Sequence, residues 1–282
     1  MSIALNLENI PSLTPTHPGL RRRLHDVVVM TRRNIIHIAR EPMQLSDVTA
    51  QPVLFTLLFV YVFGSGVPIA GGSYKNFAIA GLMLLNLTTS GMGTAVGLIS
   101  DLTTGAIDRF RILPMWRSAI LVGRSIADLC SSAICAGIVA ITGLAIGWRP
   151  SAPIPSILAG FGVVLFFAFA LSWACGCLGL VSKGPESAQG VGLIFLFPLA
   201  IVSNAMVPTG GMPGWLQAIA NWNPVSAATA AARELFGNPN PSRTLAAWPM
   251  QHPIDAALLW SAAILAVFAP LAAYLLRRQA AS

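Results

Sequence analysis

The sequence predicts an all-α integral membrane protein with six transmembrane helices. Hydrophobic residues make up 55% of the 282 residues and charged residues only 10%, whereas soluble domains carry about 25% charged residues. Apolar segments recur along the chain, each close to the ~20 residues that cross about 30 Å of hydrocarbon. The polar stretches between them are too short to build a second core, so we predict one membrane domain.

The N-terminal part of the chain changes character near residue 20. Residues 1–19 are polar and contain prolines, which predicts a disordered leader. Residues 20–47 predict an amphipathic helix, because apolar side chains recur with helical spacing. The predicted apolar face comprises Leu20, Leu24, Val27, Val28, Thr31, Ile35 and Ile38. The opposite face is rich in arginine, so we expect this helix to lie on the cytoplasmic membrane surface.

The transmembrane domain is predicted to cover residues 48–278. Its six candidate spans are residues 48–67, 77–100, 118–147, 154–181, 187–208 and 254–276. Cytoplasmic loops of membrane proteins carry an excess of lysine and arginine. With the N-terminus inside the cell, thirteen of the 17 lysine and arginine residues fall on the cytoplasmic side. This distribution favours a topology with both termini in the cytoplasm, and it explains the net charge of +7 without a nucleic-acid partner.

Two connections between the predicted spans are richer in apolar residues than ordinary loops. The inner loop from Asp101 to Arg117 has enough apolar side chains for a short helix, which Pro114 would end. The outer connection, residues 209–253, is long yet apolar, and Trp215 is one of its aromatic residues. Backbone that faces lipid must be hydrogen-bonded internally. We therefore predict short helices here that dip back into the outer leaflet.

Few polar residues interrupt the predicted spans. Arg124 and Asp128 stand four residues apart, so they can pair along one face of the third span. Their position near the cytoplasmic end of that span favours a structural or coupling role over proton transport. Asn86 and Asn204 are uncharged, and they are candidates for hydrogen bonds across helices or for substrate contacts.

The residues of ATP hydrolysis and of metal binding do not occur at the required spacing. A P-loop needs Gly-x-x-x-x-Gly-Lys-Ser/Thr, but Lys75 is followed by Asn76 and Lys183 by Gly184. The four cysteines have no histidine or cysteine partners at zinc-ligand spacing. We therefore expect no catalytic residues, no metal and no cofactor on this chain.

Two segments of the chain resemble a known family. The inner loop reads Gly105-Ala-Ile-Asp-Arg-Phe-Arg-Ile-Leu-Pro-Met115 and is followed by Gly123-Arg-Ser-Ile-Ala-Asp128. The outer connection reads Pro213-Gly-Trp-Leu216, then Asn223-Pro224, then Arg233. At these places among six spans, the two segments resemble the permease subunits of type-2 ABC exporters, above all the daunorubicin-resistance group. The resemblance covers about residues 25 to 278.

The resemblance implies that this chain works with other chains. Such permeases act with a separate ATPase subunit, present in two copies, which binds the ATP and magnesium. A second permease chain, in a homodimer or a heterodimer, completes the assembly in the bacterial plasma membrane. The implied cargo is a hydrophobic drug, antibiotic or lipid.

The resemblance also implies roles for individual residues. The loop after the second span would be a coupling helix that docks on the ATPase, and the amphipathic helix would be the family's connecting helix. The implied contacts to the ATPase are Asp108, Arg109, Phe110, Arg111, Leu113 and Pro114. The implied outer re-entrant motif consists of Trp215, Asn223, Pro224 and Arg233.

Three other functions compete with this one. An exporter of a lipid-linked polysaccharide would need aromatic and polar residues along its path, whereas the chain has only three tyrosines. An ion-coupled secondary transporter needs an ionisable group near the membrane midplane, and Asp128 is the only carboxylate well inside a predicted span. A membrane enzyme would need clustered catalytic side chains, yet all four histidines fall outside the predicted spans.

Overall fold

The described part of the chain is built from α-helices. The computed structural model describes residues 20–64, 66–69, 72–104 and 119–279, and it contains no strand within these ranges. The helices are α1 (Leu20–Arg40), α2 (Pro42–Val48), α3 (Ala50–Phe63), α4 (Tyr74–Thr103), α5 (Ala119–Ala145), α6 (Ile154–Val181), α7 (Pro185–Ile201), α8 (Gly214–Trp222), α9 (Pro224–Leu235), α10 (Trp248–Gln251) and α11 (Pro253–Gln279). Short 3₁₀ turns at Thr209–Gly211 and Pro241–Thr244 complete the outer connection.

Four of these helices are long and apolar enough to cross a membrane, namely α4, α5, α6 and α11. They match the second, third, fourth and sixth predicted spans. The helices at the first and fifth predicted spans are shorter, with 14 residues in α3 and 17 in α7. At a rise of 1.5 Å per residue they extend about 21 Å and about 26 Å, which is less than the ~30 Å of the hydrocarbon core.

The fifth predicted span, residues 187–208, is only partly helical. The helix α7 ends at Ile201, where the backbone N–H of Val202 still donates to the carbonyl of Pro198 over 2.7 Å. The ψ angle of Val202 is 63°, so the chain leaves the helical conformation there. The hydroxyl of Ser203 then accepts from the backbone N–H of Ala205. Residues 202–208 of this predicted span are therefore not helical.

The central element of the fold is α4. Its residues from Tyr74 to Thr88 are largely buried, and the helix packs against α3, α5, α6, α7 and α9. On the other side of the bundle, α6 packs against both α4 and α11. An apolar core runs through these contacts and includes the fully buried rings of Phe77 and Phe167. Both candidate sites of the molecule include residues of α4.

The N-terminal amphipathic helix forms as α1 and packs against α5. Its buried side chains are Val27, Met30 and Asn34, whereas Leu24, Val28 and Ile35 of the predicted apolar face are exposed. The backbones of the two helices approach closely at Gly123, where a Cβ atom would lie 2.6 Å from the Cβ of Met30. The exposed apolar side chains leave α1 with a face suited to a membrane surface.

Candidate functional sites at the two ends of α4

A charge cluster surrounds Asp101 in the last turn of α4. The guanidinium of Arg33 on α1 donates to the Asp101 carboxylate, with Nη2 2.7 Å from Oδ1. Nη1 of Arg124 on α5 lies 3.8 Å from the other carboxylate oxygen, Oδ2. One carboxylate therefore links the N-terminal helix to α5 through α4.

The charge cluster continues along α5 to Asp128. Nε of Arg124 lies 3.7 Å from Oδ1 of Asp128, at the spacing expected from the sequence. The hydroxyl of Thr94 on α4 donates to the other oxygen of Asp128 over 2.8 Å. Nη2 of Arg124 also donates to the carbonyl of Gly93 over 3.0 Å. The charge cluster thus consists of Arg33, Asp101, Arg124 and Asp128, with Thr94 attached.

The space for Arg124 depends on a glycine. A Cβ atom at Gly97 on α4 would overlap the guanidinium of Arg124. The side chains of Arg124 and Asp128 are 12% and 15% exposed, so their attraction is weakly screened by solvent. In such surroundings, the loss of one partner leaves an uncompensated charge, which costs far more than breaking a surface ion pair.

The opposite end of α4 holds a fully buried arginine on α9. Nε of Arg233 donates to the carbonyl of Phe77 over 2.9 Å. Its Nη2 donates to the carbonyls of Asn204 and Ala205, at 2.8 Å and 2.9 Å. The guanidinium carbon lies 3.6 Å from the centroid of the Phe77 ring, as in a cation–π contact. Within the described ranges, no carboxylate lies within ion-pair distance of Arg233.

Burial lowers the pKa of Arg233 but leaves the side chain charged at neutral pH. Removal from water lowers the pKa of this guanidinium to about 9. Because that pKa is still above 7, the side chain remains a cation in the cell. By sequence alone Arg233 counts among the outer loop cations, so its complete burial is a finding of the structure.

The side chains around Arg233 satisfy the backbone that follows α7. The phenol of Tyr74 donates to the carbonyl of Met206 over 3.2 Å. The backbone N–H of Asn204 donates to the hydroxyl of Ser226 over 3.0 Å. The amide of Asn223 donates to the carbonyls of Leu199 and Val202. We call these four side chains the outer hub: Tyr74, Asn223, Ser226 and Arg233.

Asn223 and Pro224 have a local role as well. The carboxamide oxygen of Asn223 accepts from the backbone N–H of Val225 over 2.8 Å, which caps the N-terminus of α9. Pro224 occupies the first turn of α9, where a missing N–H costs nothing. Trp215 lies on α8 and is 70% exposed, so it does not contribute to the outer hub.

A comparison with known protein families decides the assignment. The family model described as ABC-2 type transporter matches residues 25–236. The chain belongs to the ABC-2 type transporter family.

Curated relatives agree with this assignment. The chain is 33% identical over 238 residues to a daunorubicin resistance ABC transporter permease of Streptomyces coeruleorubidus, covering 84% of this chain and 81% of the relative. It is 26% identical over 274 residues to a probable doxorubicin resistance ABC transporter permease of Mycobacterium tuberculosis, covering 92% of this chain and 93% of the relative. A putative transport permease of Porphyra purpurea is 24% identical over 220 residues, covering 76% and 75%. This ABC-2 permease is therefore a multi-pass membrane subunit of an ABC transporter.

The coupling residues predicted for this permease fall outside the described ranges. All six belong to the segment 105–118, which lies in the sequence between Thr104 and Ala119, the first residue of α5. The six are Asp108, Arg109, Phe110, Arg111, Leu113 and Pro114. Asp101 lies near the end of α4 and Arg124 near the start of α5, so the charge cluster is built on the two helices that flank this segment in the sequence.

The two asparagines of the spans have different surroundings. The amide of Asn86 donates to the carbonyl of Leu82 in its own helix, over 2.8 Å. The sequence had suggested a hydrogen bond to another helix instead. The amide of Asn204 lies 3.3 Å from the hydroxyl of Ser242, and its backbone carbonyl accepts from Arg233. Asn204 therefore bonds to other parts of the chain through both its side chain and its backbone.

Sequence reasoning missed several residues of both sites. Arg33 and Asp101 were not predicted as site residues. Asp101 is an acidic residue at the end of a span whose following loop is basic, and that contrast could have indicated an ion pair. Thr94 and Ser226 gave no such signal, because a serine or threonine hydroxyl in an apolar helix most often bonds to its own backbone. Tyr74 gave none either. Their partners lie far away in the sequence.

Proposed function

We propose that this permease moves a hydrophobic drug, antibiotic or lipid out across the bacterial plasma membrane, using ATP hydrolysed by a separate subunit. The names of two relatives refer to daunorubicin resistance and to doxorubicin resistance, which supports a drug as the cargo. A domain with only 10% charged residues also suits an apolar cargo.

The partner in this proposal is an ABC ATPase, present in two copies and carrying the ATP and magnesium. A second permease chain, identical or related, completes the transporter. Membership in the ABC-2 family supports an ATPase partner, while the copy numbers follow from the resemblance seen in the sequence. The chain itself would contribute the membrane path and the surface on which the ATPase docks.

The charge cluster is the observation that carries the coupling mechanism. Residues 105–118 would dock on the ATPase, with Phe110 and Leu113 as apolar anchors. Asp101 holds Arg33 and Arg124, so α1, α4 and α5 are joined near the two helix ends that flank this segment in the sequence. A movement of the segment would then pass to three helices together, because the ion pairs prevent one helix from moving alone.

The proposed topology has six spans with both termini in the cytoplasm. The helix α7 is too short to cross the membrane by itself, and in this proposal the non-helical residues 202–208 complete the span. Such a segment is tolerated at membrane depth where protein groups satisfy its backbone. The outer hub provides those groups through Arg233, Tyr74 and Asn223.

Asn86 remains a proposed substrate contact. It is buried on α4, and its carboxamide bonds only within its own helix among the described contacts. We assign Asn204 a structural role, because its peptide group and side chain are engaged by the outer hub and by Ser242.

The proposal is tested by transport into inverted membrane vesicles that contain the permease and its ATPase. Daunorubicin is the probe, because its fluorescence reports accumulation directly. We expect accumulation that requires ATP, continues when the proton gradient is collapsed, and stops when the hydrolytic residue of the ATPase is replaced. ATP-dependent accumulation that persists after deletion of the ATPase would remove the proposal, and loss on collapse of the proton gradient would favour a secondary transporter.

A further inference from the structure

An apolar groove lies between α1 and α5, lined by residues that belong to neither of the two sites. Its volume is about 360 Å³. Six of its lining residues are on α1 and one is on α5: Val27, Val28, Thr31, Arg32, Ile35, Ile36 and Ile126. We propose that this groove binds one anionic phospholipid, with an acyl chain along the apolar wall and the phosphate on Arg32.

The polar groups of the groove point to a ligand with a single charged end. The hydroxyl of Thr31 already donates to the carbonyl of Val27 over 2.8 Å, so it offers no free donor. The neighbouring Arg33 is bound to Asp101. Arg32 is exposed at the rim, and no carboxylate among the described residues lies within ion-pair distance of it. Its guanidinium is therefore available to bind an anion.

The chemistry of arginine selects phosphate over a neutral or zwitterionic head. A guanidinium binds phosphate oxygens through two parallel hydrogen bonds. The whole of α1 favours an anionic surface, because it contains six arginines and one aspartate. Zwitterionic lipids carry a phosphate too, but their ammonium group cancels the long-range attraction of this helix.

The apolar part of the groove fits a hydrocarbon chain. Val28 and Ile35 lie on α1 at positions seven residues apart, so their side chains share one face of the helix. Ile126 closes the groove from α5. A soluble anion would leave these side chains in contact with water, whereas a lipid covers them and satisfies Arg32 at once.

The test is native mass spectrometry of the purified permease–ATPase complex in neutral detergent, titrated with phosphatidylglycerol or with phosphatidylcholine of the same acyl chains. We expect one tightly bound phosphatidylglycerol and weaker binding of phosphatidylcholine. Arg32→Gln should weaken phosphatidylglycerol binding about tenfold, as for loss of a charge-assisted contact. The matched control is Arg40→Gln, which removes the same charge from an exposed position on α1 outside the groove, and it should keep the affinity within about twofold.

A second pair of variants tests the apolar wall. Ile126→Trp fills the groove and should weaken both lipids, while Ile134→Trp adds the same bulk at an exposed position of α5 outside the groove and should leave binding unchanged. Equal losses in Arg32→Gln and Arg40→Gln would overturn the proposal in favour of diffuse attraction. Equal affinity for the two lipids, or no effect of Ile126→Trp, would overturn it as well. Because binding is measured without ATP, the result is independent of the proposed transport function.

Discussion

The two ends of α4 hold arginines in opposite ways. At Asp101 the arginines come from α1 and α5 and are matched by carboxylates, and their side chains keep some contact with solvent. Some 24 residues earlier, about 36 Å away along the helix, Arg233 is fully buried and donates only to carbonyl oxygens. The first arrangement joins helices to one another, while the second joins a side chain to irregular backbone.

This difference separates two kinds of rigidity. The ion pairs of Asp101 link three separate helices, so their loss would let these helices move independently of one another. The fully buried guanidinium of Arg233 donates to three carbonyls, so its loss would leave their oxygens without a donor and release the backbone that it holds. We therefore expect changes at Arg233 to affect folding, and changes in the charge cluster to affect coupling.

The largest effect is expected for Arg233→Leu. Three carbonyl oxygens would lose their donor in a buried place, which destabilises the protein by on the order of 4 kcal/mol. Thermal unfolding of the purified complex in detergent measures this loss. Arg233→Lys keeps the positive charge but not the several N–H donors of the guanidinium, so its stability should lie between those of the wild type and Arg233→Leu. The control is Arg243→Gln, at an exposed arginine of the same connection, and equal stability of Arg233→Leu and this control would contradict the assignment.

The next effect concerns Asp101→Asn. It leaves Arg33 and Arg124 without their shared carboxylate, so we expect transport to fall roughly tenfold while ATP hydrolysis falls much less. Both rates are measured in the same vesicles. Glu186→Gln removes an exposed carboxylate from the first turn of α7 and should change neither rate. Parallel loss of transport and hydrolysis, together with loss of the complex, would mean that Asp101 serves folding alone.

A smaller effect is expected for Thr94→Val, which keeps the shape of the side chain. It removes the hydrogen bond to Asp128 and should lower stability by about 1–2 kcal/mol. Thr88→Val is the matched control on the same helix, because the buried Thr88 hydroxyl has no hydrogen-bond partner among the described residues. The control should be neutral or slightly stabilising in thermal unfolding. A larger loss of stability in Thr88→Val than in Thr94→Val would contradict the geometry of the charge cluster.

The smallest effect on transport is expected when two glycines of α4 are replaced in turn. Gly97→Ala places a methyl group on the guanidinium of Arg124, so this side chain must shift and we expect transport to fall roughly threefold. Gly93→Ala meets nothing within 4 Å and should keep transport while raising helix stability by up to about 1 kcal/mol. Transport assays of both variants provide the measurement. If both lose activity alike, helix flexibility and not the space for Arg124 is responsible.

Hydropathy and charge predicted much of the fold. The long apolar runs identified α4, α5, α6 and α11, because each of these helices contains a stretch long and apolar enough to cross the bilayer. The end of α7 could not be predicted, since Val202, Ala205 and Met206 are as apolar as a span. Whether such residues stay helical depends on side chains far along the chain that accept or supply backbone hydrogen bonds.

The same limit applies to the candidate sites. Arg124 and Asp128 were found because their partnership is local, with the two residues one helical turn apart on α5. The contacts of Arg233 with Phe77 join residues 156 positions apart, and no periodicity of the sequence encodes them. The family resemblance marked Arg233 and Asn223 as part of a motif but did not say what either side chain binds.

One carboxamide shows how specific a helix cap can be. Several residue types begin a helix equally well, because each supplies an oxygen to a free N–H. Asn223 uses its side-chain nitrogen too. This nitrogen donates to carbonyls at the end of α7, while the side-chain oxygen accepts from the first turn of α9. Aspartate would turn a carboxylate towards the carbonyls of Leu199 and Val202, and serine would not reach them. Of these three residue types only asparagine makes all the contacts, so Asn223 ties the end of α7 to the start of α9 although α8 lies between them in the sequence.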